Sequence, residues 1–114
     1  MISCSTGGRV IYMTIREPYS SEESMAFLQA LSRNPAVPES ALLLIDTRSF
    51  SSEFPEIEMG LLGSKLGPCC ALVIGNHQAG DAEVFGSRVQ RGGGPAVQIF
   101  QDLAAAYDWI GKYR

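Results

Sequence analysis

Two short runs that contain only apolar residues constrain the fold of this chain more than any other feature. Residues 41–45 read Ala-Leu-Leu-Leu-Ile, and residues 69–74 read Cys-Cys-Ala-Leu-Val-Ile. Each run has the length of a strand, and a strand without polar alternation is covered on both of its faces. Such strands are typical of parallel sheets that lie between layers of helices. The two runs therefore predict two interior strands of an α/β domain.

The first forty residues predict an edge hairpin followed by a helix. Gly7-Gly8 separates residues 2–5 from a β-branched run at residues 10–15, a pattern typical of a hairpin with an antiparallel edge strand. Ser20 then begins a Ser-Ser-Glu-Glu capping box. Apolar residues follow at helical spacing, and Asn34-Pro35 is expected to end this helix.

Strand and helix patterns continue to alternate in the rest of the chain. Pro55 is expected in the first turn of a second helix, which Gly67-Pro68 ends. Gly80-Asp81 begins a third helix, residues 96–100 form the last strand, and a short apolar pattern closes the chain as a helix. The buried stripe of the second helix is expected to consist of Ile57, Leu61, Leu62 and Leu66.

The element order β-β-α-β-α-β-α-β-α predicts the fold class. Repeated βα units with right-handed crossovers give a mainly parallel sheet of about five strands, with an antiparallel N-terminal edge strand and helices packed on the sheet. A chain of 114 residues has the length of one domain, so residues 1–114 are expected to form a single unit.

Composition excludes several classes of function. The net charge of -3 offers no attraction to phosphate backbones, so nucleic-acid binding is not expected. The longest apolar runs are too short to span a bilayer, and the N-terminus lacks the basic and apolar segments of an export signal. Three cysteines suit a reducing compartment, and a cytoplasmic location is expected. Cys69 and Cys70 are adjacent on a strand and point to opposite faces, so neither a metal site nor a cofactor is predicted.

Polar residues follow both interior strands at the point where each strand ends. Asp46, Thr47, Arg48 and Ser49 come after the first apolar run, and the segment Gly75-Asn76-His77 comes after the second. In open α/β sheets, ligands and partners meet the carboxyl ends of the strands. We therefore predict a binding surface for a partner or ligand that consists of Asp46, Thr47, Arg48, Ser49, Asn76 and His77.

Two catalytic interpretations of these loops lack the residues that they need. Residues 75–80 have the spacing of a phosphate loop, but Asp81 and Ala82 replace the Lys and Ser/Thr that the motif requires. His77, the one histidine, could form a hydrolytic triad with Asp46 and Ser49, Ser51 or Ser52. The chain has no Gly-x-Ser-x-Gly elbow to expose a serine. With no complete catalytic motif, the chain is not expected to be an enzyme, and a hydrolase is the less favoured alternative.

Three features together resemble a known family. They are the hairpin before Ser20, the Leu-Leu-Leu-Ile-Asp strand, and the ending from Cys-Cys-Ala-Leu-Val-Ile-Gly to Val-Gln-Ile-Phe-Gln-Asp-Leu-Ala-Ala-Ala-Tyr-Asp-Trp-Ile. The chain resembles the SpoIIAA-like branch of the STAS superfamily, the sulfate transporter and anti-sigma-factor antagonist domains. The resemblance covers nearly the whole chain as a pattern and rests on no diagnostic motif.

The resemblance implies a fold and a class of function. It implies a four-turn right-handed β-α superhelix and a regulatory binding module without established enzymatic activity. Some members are switched by phosphorylation at a helix start, which makes Ser51 and Ser52 the candidate phosphorylation sites. The antagonist pattern Asp-Ser-Ser/Thr-Gly is absent here, since residues 46–55 contain no glycine.

These observations lead to one favoured function and one alternative. We expect a regulatory or protein-interaction module that binds a protein partner through loops 46–55 and 75–81. The alternative is a carrier of a lipid or another small apolar ligand, held between the sheet and the helices. A homodimer that pairs along the edge of the first hairpin is a further expectation.

Overall fold

The computed structural model describes residues 1–50, 54–55 and 57–113. Its strands and α-helices follow the predicted order along the chain, except that a 3₁₀ turn stands between the third and fourth strands. The strands are β1 (Ile2–Gly7), β2 (Val10–Ile15), β3 (Ala41–Asp46), β4 (Leu66–Val73) and β5 (Ala96–Phe100). The α-helices are α1 (Ser21–Arg33), α2 (Ala79–Arg91) and α3 (Leu103–Gly111), and 3₁₀ turns occupy Met59–Lys65 and Asn76–Gln78.

The five strands form one mixed sheet in the order β1-β2-β3-β4-β5. β1 pairs with β2 antiparallel through the Gly7-Gly8 turn, and β2 to β5 are parallel. Strands β3 and β4 are neighbours in the interior of the sheet, as their apolar sequences predict. The predicted α/β fold with an antiparallel N-terminal edge strand is confirmed.

Side-chain alternation along β3 and β4 divides the core into two layers. Leu43, Ile45, Cys70 and Leu72 contact α1, α2 and the 3₁₀ turn Met59–Lys65 on the side that we call the helix-rich face. The opposite side is the α3 face. Its buried residues include Leu42, Leu44, Cys69, Ala71 and Val73, together with Ala106 and Ile110 of α3. Both apolar runs are therefore covered on both faces, which explains why neither contains a polar residue.

The predicted helix boundaries hold at α1. Ser20 is the N-cap, and its hydroxyl accepts a hydrogen bond from the Glu23 amide at 3.1 Å. Asn34 ends the helix, and its amide bonds to the Leu31 carbonyl at 3.2 Å. Leu28 and Leu31 are buried and attach this helix to the helix-rich face.

The predicted second helix is wrong in extent and type. The structure has a 3₁₀ turn at Met59–Lys65 instead, and Leu66 and the Gly67-Pro68 pair belong to β4. The turn is interrupted at Gly63, whose φ of 55° and ψ of -127° are backbone angles that favour glycine. Ile57 and Leu62 are buried as predicted, whereas Leu61 and Leu66 are only partly buried.

Gly67 marks the point where β4 comes closest to β3. The register shifts between the pairs Ala41–Leu66 and Leu43–Cys70, so that three residues of β4 oppose a single residue of β3. A Cβ atom on Gly67 would lie 2.1 Å from the carbonyl oxygen of Ala41. The close approach therefore requires a residue without a side chain.

We expect Gly67→Ala to lower the free energy of unfolding by about 1–3 kcal/mol, because the two strands must separate to admit the methyl group. Urea denaturation measures this change. Gly80→Ala is the control, since a Cβ there meets no atom within 4 Å and Gly80 lies in a helix. That control should be neutral or stabilising by up to about 1 kcal/mol. Equal midpoints for the two variants would contradict the strand contact.

Candidate functional site

The loops that follow β3 and β4 meet at one edge of the sheet. The Thr47 amide donates to the Val73 carbonyl at 2.9 Å, and the Ile74 amide donates to the Phe100 carbonyl at 2.9 Å. Parallel pairing thus continues to the last residue of each strand. The predicted convergence of the two loops is present in the structure.

A buried glutamine joins the two loops. Gln78 is fully buried, and its Nε2 donates to the carbonyl of Thr47 at 3.0 Å. Its Oε1 accepts from the amide of Gly75 at 2.9 Å and lies 3.2 Å from the Thr47 hydroxyl. That hydroxyl also lies 3.2 Å from the Val73 carbonyl. The amide of Gln78 therefore satisfies buried backbone groups that would otherwise lack partners.

His77 attaches the second loop to the first by another contact. Its Nε2 lies 2.7 Å from the carbonyl oxygen of Phe50. Because a carbonyl only accepts, this nitrogen carries the proton and donates it. The Phe50 side chain is buried, and its ring packs edge-on against Tyr19 at 5.4 Å between centroids. The imidazole thus holds residues 47–50 against the turn at Asn76–Gln78.

Asp46 and Arg48 form an ion pair within the first loop. The guanidinium donates from Nε to Oδ1 at 3.0 Å and from Nη2 to Oδ2 at 2.9 Å, and the Arg48 amide donates to Oδ1 at 3.0 Å. The hydrogen bonds with Asp46 raise the pKa of Arg48, and the charge of Asp102 adds to this effect. The Arg48 side chain is still 41% exposed. Its charge is therefore balanced within the loop, while part of the guanidinium faces solvent.

The predicted site residues do not all lie on one side of the sheet. Asp46 pairs in register with Thr14 and Val73, so its side chain follows the α3 face. The next residue, Thr47, turns its side chain toward Gln78 on the helix-rich face. His77 also lies on the helix-rich side, through its contact with Phe50. The structure therefore places Asp46 and His77 in separate contacts and does not assemble the triad considered from the sequence.

Four of the six predicted residues remain available to a partner. Thr47 is fully buried and Asp46 is mostly covered, whereas the others are exposed. We call the exposed set the carboxyl-end surface: Arg48, Ser49, Asn76 and His77. The candidate phosphorylation sites Ser51 and Ser52 lie outside the described residues.

The sequence analysis missed Gln78, which connects the two loops. A local signal for it exists, because Gln78 is the third residue after Gly75 and its side chain accepts from the Gly75 amide in a capping-box arrangement. The contact with Thr47 spans 31 positions of the chain and has no comparable signal in the sequence.

A shallow polar groove lies on the part of the α3 face that α3 does not cover. Helix α3 packs on β3, β4 and β5, and its Tyr107 ring lies against Tyr12 of β2, with 5.6 Å between the ring centroids. Beyond this pair, the strands present hydroxyl groups. The groove is lined by Ser3, Cys4, Ser5, Tyr12, Thr14 and Tyr107. This half of the face is polar because no helix buries it.

The cysteines behave as apolar core residues. Cys70 is buried on the helix-rich face and Cys69 on the α3 face, which confirms that their side chains point in opposite directions. Burial raises the pKa of Cys70 to about 12, and it also raises the pKa of Cys4 and Cys69. Across residues 1–50, 54–55 and 57–113, no group of three or more His, Cys, Asp or Glu could hold a metal ion.

The chain matches no family model, no curated protein and no solved structure. None of the helices among the described residues has the length and apolar character needed to cross a membrane.

We expect Gln78→Met to lower the free energy of unfolding by about 2–3 kcal/mol, because the Thr47 carbonyl and the Gly75 amide lose their partners. Thr47→Val removes only the hydroxyl contacts and should cost about 1 kcal/mol. Urea denaturation of both variants and of the double variant measures the coupling. Strictly additive effects would argue against a joint network.

Cys70 should make stability fall at alkaline pH. Its folded pKa lies above its unfolded value, so the unfolded chain loses the thiol proton first, and the free energy of the unfolded state falls relative to the folded state as pH rises above about 9. Between that pH and 12, the cost is roughly 1.4 kcal/mol per pH unit for one group. Cys70→Ala should have a shallower decline in denaturation curves measured from pH 8 to 11. Parallel declines would show that this thiol does not contribute.

Proposed function

We propose that this chain is a non-catalytic protein-interaction module whose partner binds the carboxyl-end surface. The observation that carries this proposal is the buried Gln78 network. Its hydrogen bonds fix Thr47 and Gly75 at the beginning of the two loops, while Arg48, Ser49 and Asn76 are exposed. Loops that are rigid before binding lose little conformational entropy on binding, which favours affinity and specificity.

The two best candidate catalytic groups, Asp46 and His77, both bind other groups within the loops, which also supports an interaction surface. The carboxylate of Asp46 binds Arg48, and Nε2 of His77 binds a backbone carbonyl. Both groups thus have structural contacts that maintain loop shape. A loop shape held in this way suits recognition by a complementary protein surface.

The charges around the carboxyl-end surface favour a cationic partner. Asp46 balances Arg48, and the exposed carboxylates Asp81 and Asp102 lie at the beginnings of α2 and α3, at the same end of the sheet. A partner with Lys or Arg at its contact face would find complementary charge here. Electrostatic complementarity of this kind mainly accelerates association and selects partners.

The resemblance to SpoIIAA-like domains supports the same proposal from the sequence side. Members of that superfamily act as regulatory binding modules, and phosphorylation at a helix start switches some of them. In this chain, Ser51 and Ser52 follow directly after Phe50 in the sequence, and the carbonyl oxygen of Phe50 accepts a hydrogen bond from His77. A phosphate on either serine would add about two negative charges within two residues of Phe50 in the sequence, and this charge would strengthen the attraction of a cationic partner.

The test compares two variants with the same kinds of substitution at opposite ends of the sheet. The double variant Asn76→Ala/Asp102→Asn removes an exposed amide of the carboxyl-end surface and an exposed carboxylate beside it. Its matched control, Gln90→Ala/Asp108→Asn, removes an exposed amide and an exposed carboxylate near the C-terminal ends of α2 and α3. A protein captured from native cytosol is purified, and its affinity for each variant is measured by titration calorimetry.

We expect the first variant to bind at least tenfold more weakly than the control, as for interface residues that contribute over 1 kcal/mol each. Affinity should also fall with added salt, because a cationic partner is attracted by exposed charge. Equal affinities of the two variants would refute a partner site at this end of the sheet.

A further inference from the structure

A second concave site lies at the opposite end of the sheet, beside the amino ends of β4 and β5. It is a pocket of about 300 Å³ between the segment that precedes β4 and the C-terminal end of α2. This volume lies at the lower limit of the range for small-molecule pockets. The lining residues are Ile57, Glu58, Met59, Gly60, Leu66, Arg88, Val89 and Gly92, Gly93 and Gly94.

Glycines keep the pocket open. Gly92, Gly93 and Gly94 turn the chain after α2, and their amides donate to the carbonyls of Arg88, Gln90 and Val89 at 3.0–3.1 Å. A Cβ on Gly94 would lie 2.8 Å from the Val89 side chain. On the other wall, Gly60 has no atom within 4 Å of a Cβ position. The backbone is thus satisfied, and the space in front of it is not filled by side chains.

The interior of the pocket is apolar, and its single cation has no ion pair. Ile57 and Met59 are buried, and Leu66 and Val89 are partly buried. The Arg88 guanidinium lies 5.9 Å from the centroid of the Phe85 ring, and among the described residues it has no carboxylate within 4.0 Å. Its N–H groups therefore remain available to an acceptor.

We infer that this pocket binds a small apolar carboxylate, with the tail against Ile57, Met59, Leu66 and Val89 and the carboxylate on Arg88. A guanidinium that rests against an aromatic ring is oriented in advance for a planar, two-oxygen acceptor. The carbonyls at the end of α2 accept hydrogen bonds from the glycine turn, and the negative end of the α2 dipole opposes the carboxylate. Glu58 lies on the rim and opposes the carboxylate, which limits the affinity.

The probes are hexanoate, octanoate and decanoate, with decanol as the uncharged control. Binding is measured on the folded chain by ¹H–¹⁵N correlation spectra, in which glycine amides resonate apart from most others. Chemical-shift changes should concentrate on Gly60 and Gly92 to Gly94. Affinity should increase by about fourfold for each methylene that enters the pocket and level off when the tail exceeds its depth.

Four variants distinguish the contribution of the Arg88 charge to binding from the contribution of the apolar contacts with the ligand tail. Arg88→Met keeps an apolar stem against Phe85 and should weaken decanoate binding about five- to tenfold. Arg91→Met is the matched control, because Arg91 is exposed on the same helix and does not line the pocket. Glu58→Gln should tighten decanoate binding, since it removes a like charge. Gly60→Leu should abolish binding without loss of the folded spectrum, because its side chain enters open space.

Three results would overturn the inference. They are the absence of saturable shifts with decanoate, equal affinities for decanoate and decanol, and equal losses for Arg88→Met and Arg91→Met. A fourth result, tighter binding of decanol than of decanoate, would exclude the carboxylate and assign the pocket to a neutral ligand. All variants retain the carboxyl-end surface, so these outcomes are independent of partner binding there.

Discussion

The parallel pairing of β3 with β4 is the constraint on which the rest of the structure depends. Their apolar side chains are buried on both faces, so α1, α2 and the turn at Met59–Lys65 must cover one side and α3 the other. Pairing of this kind also fixes where the strands end. Because successive residues alternate between faces, Asp46 and Thr47 are directed to opposite sides of the sheet as soon as β3 is placed.

Local sequence signals were sufficient for most of the fold. The apolar runs, the Gly7-Gly8 turn and the Ser20 cap each act within a few residues, and each has its expected place in the structure. The second helix was predicted wrongly because the apolar spacing of residues 57–66 outweighed its glycines. Gly60 and Gly63 leave only a kinked 3₁₀ turn, and β4 begins at Leu66, three residues before the predicted start at Cys69.

The candidate site was predictable in location but not in internal arrangement. Topology places the loops after β3 and β4 at one edge, and this follows from the strand order alone. Which side chains are buried there depends on contacts between distant residues, such as Gln78 with Thr47 and His77 with Phe50. A polar residue in a loop gives no sign of whether it faces solvent or replaces water for a buried backbone group. Gln78 is of the second kind, and Asn76, two residues earlier, is exposed.

The apolar pocket and the carboxyl-end surface lie at the two ends of β4, so the strand is the most direct connection through which binding at one site could affect the other. Leu66 at the beginning of the strand lines the apolar pocket, while the carbonyl of Val73 at its end accepts a hydrogen bond from the Thr47 amide. The eight residues from Leu66 to Val73 span roughly 25 Å, and those from Cys70 to Val73 pair with both β3 and β5. Coupling between distant sites requires an element with two alternative arrangements, and the structure shows a single arrangement of β4. A ligand in the pocket would therefore stabilise the fold without changing the shape of the carboxyl-end surface, and the two sites would act independently.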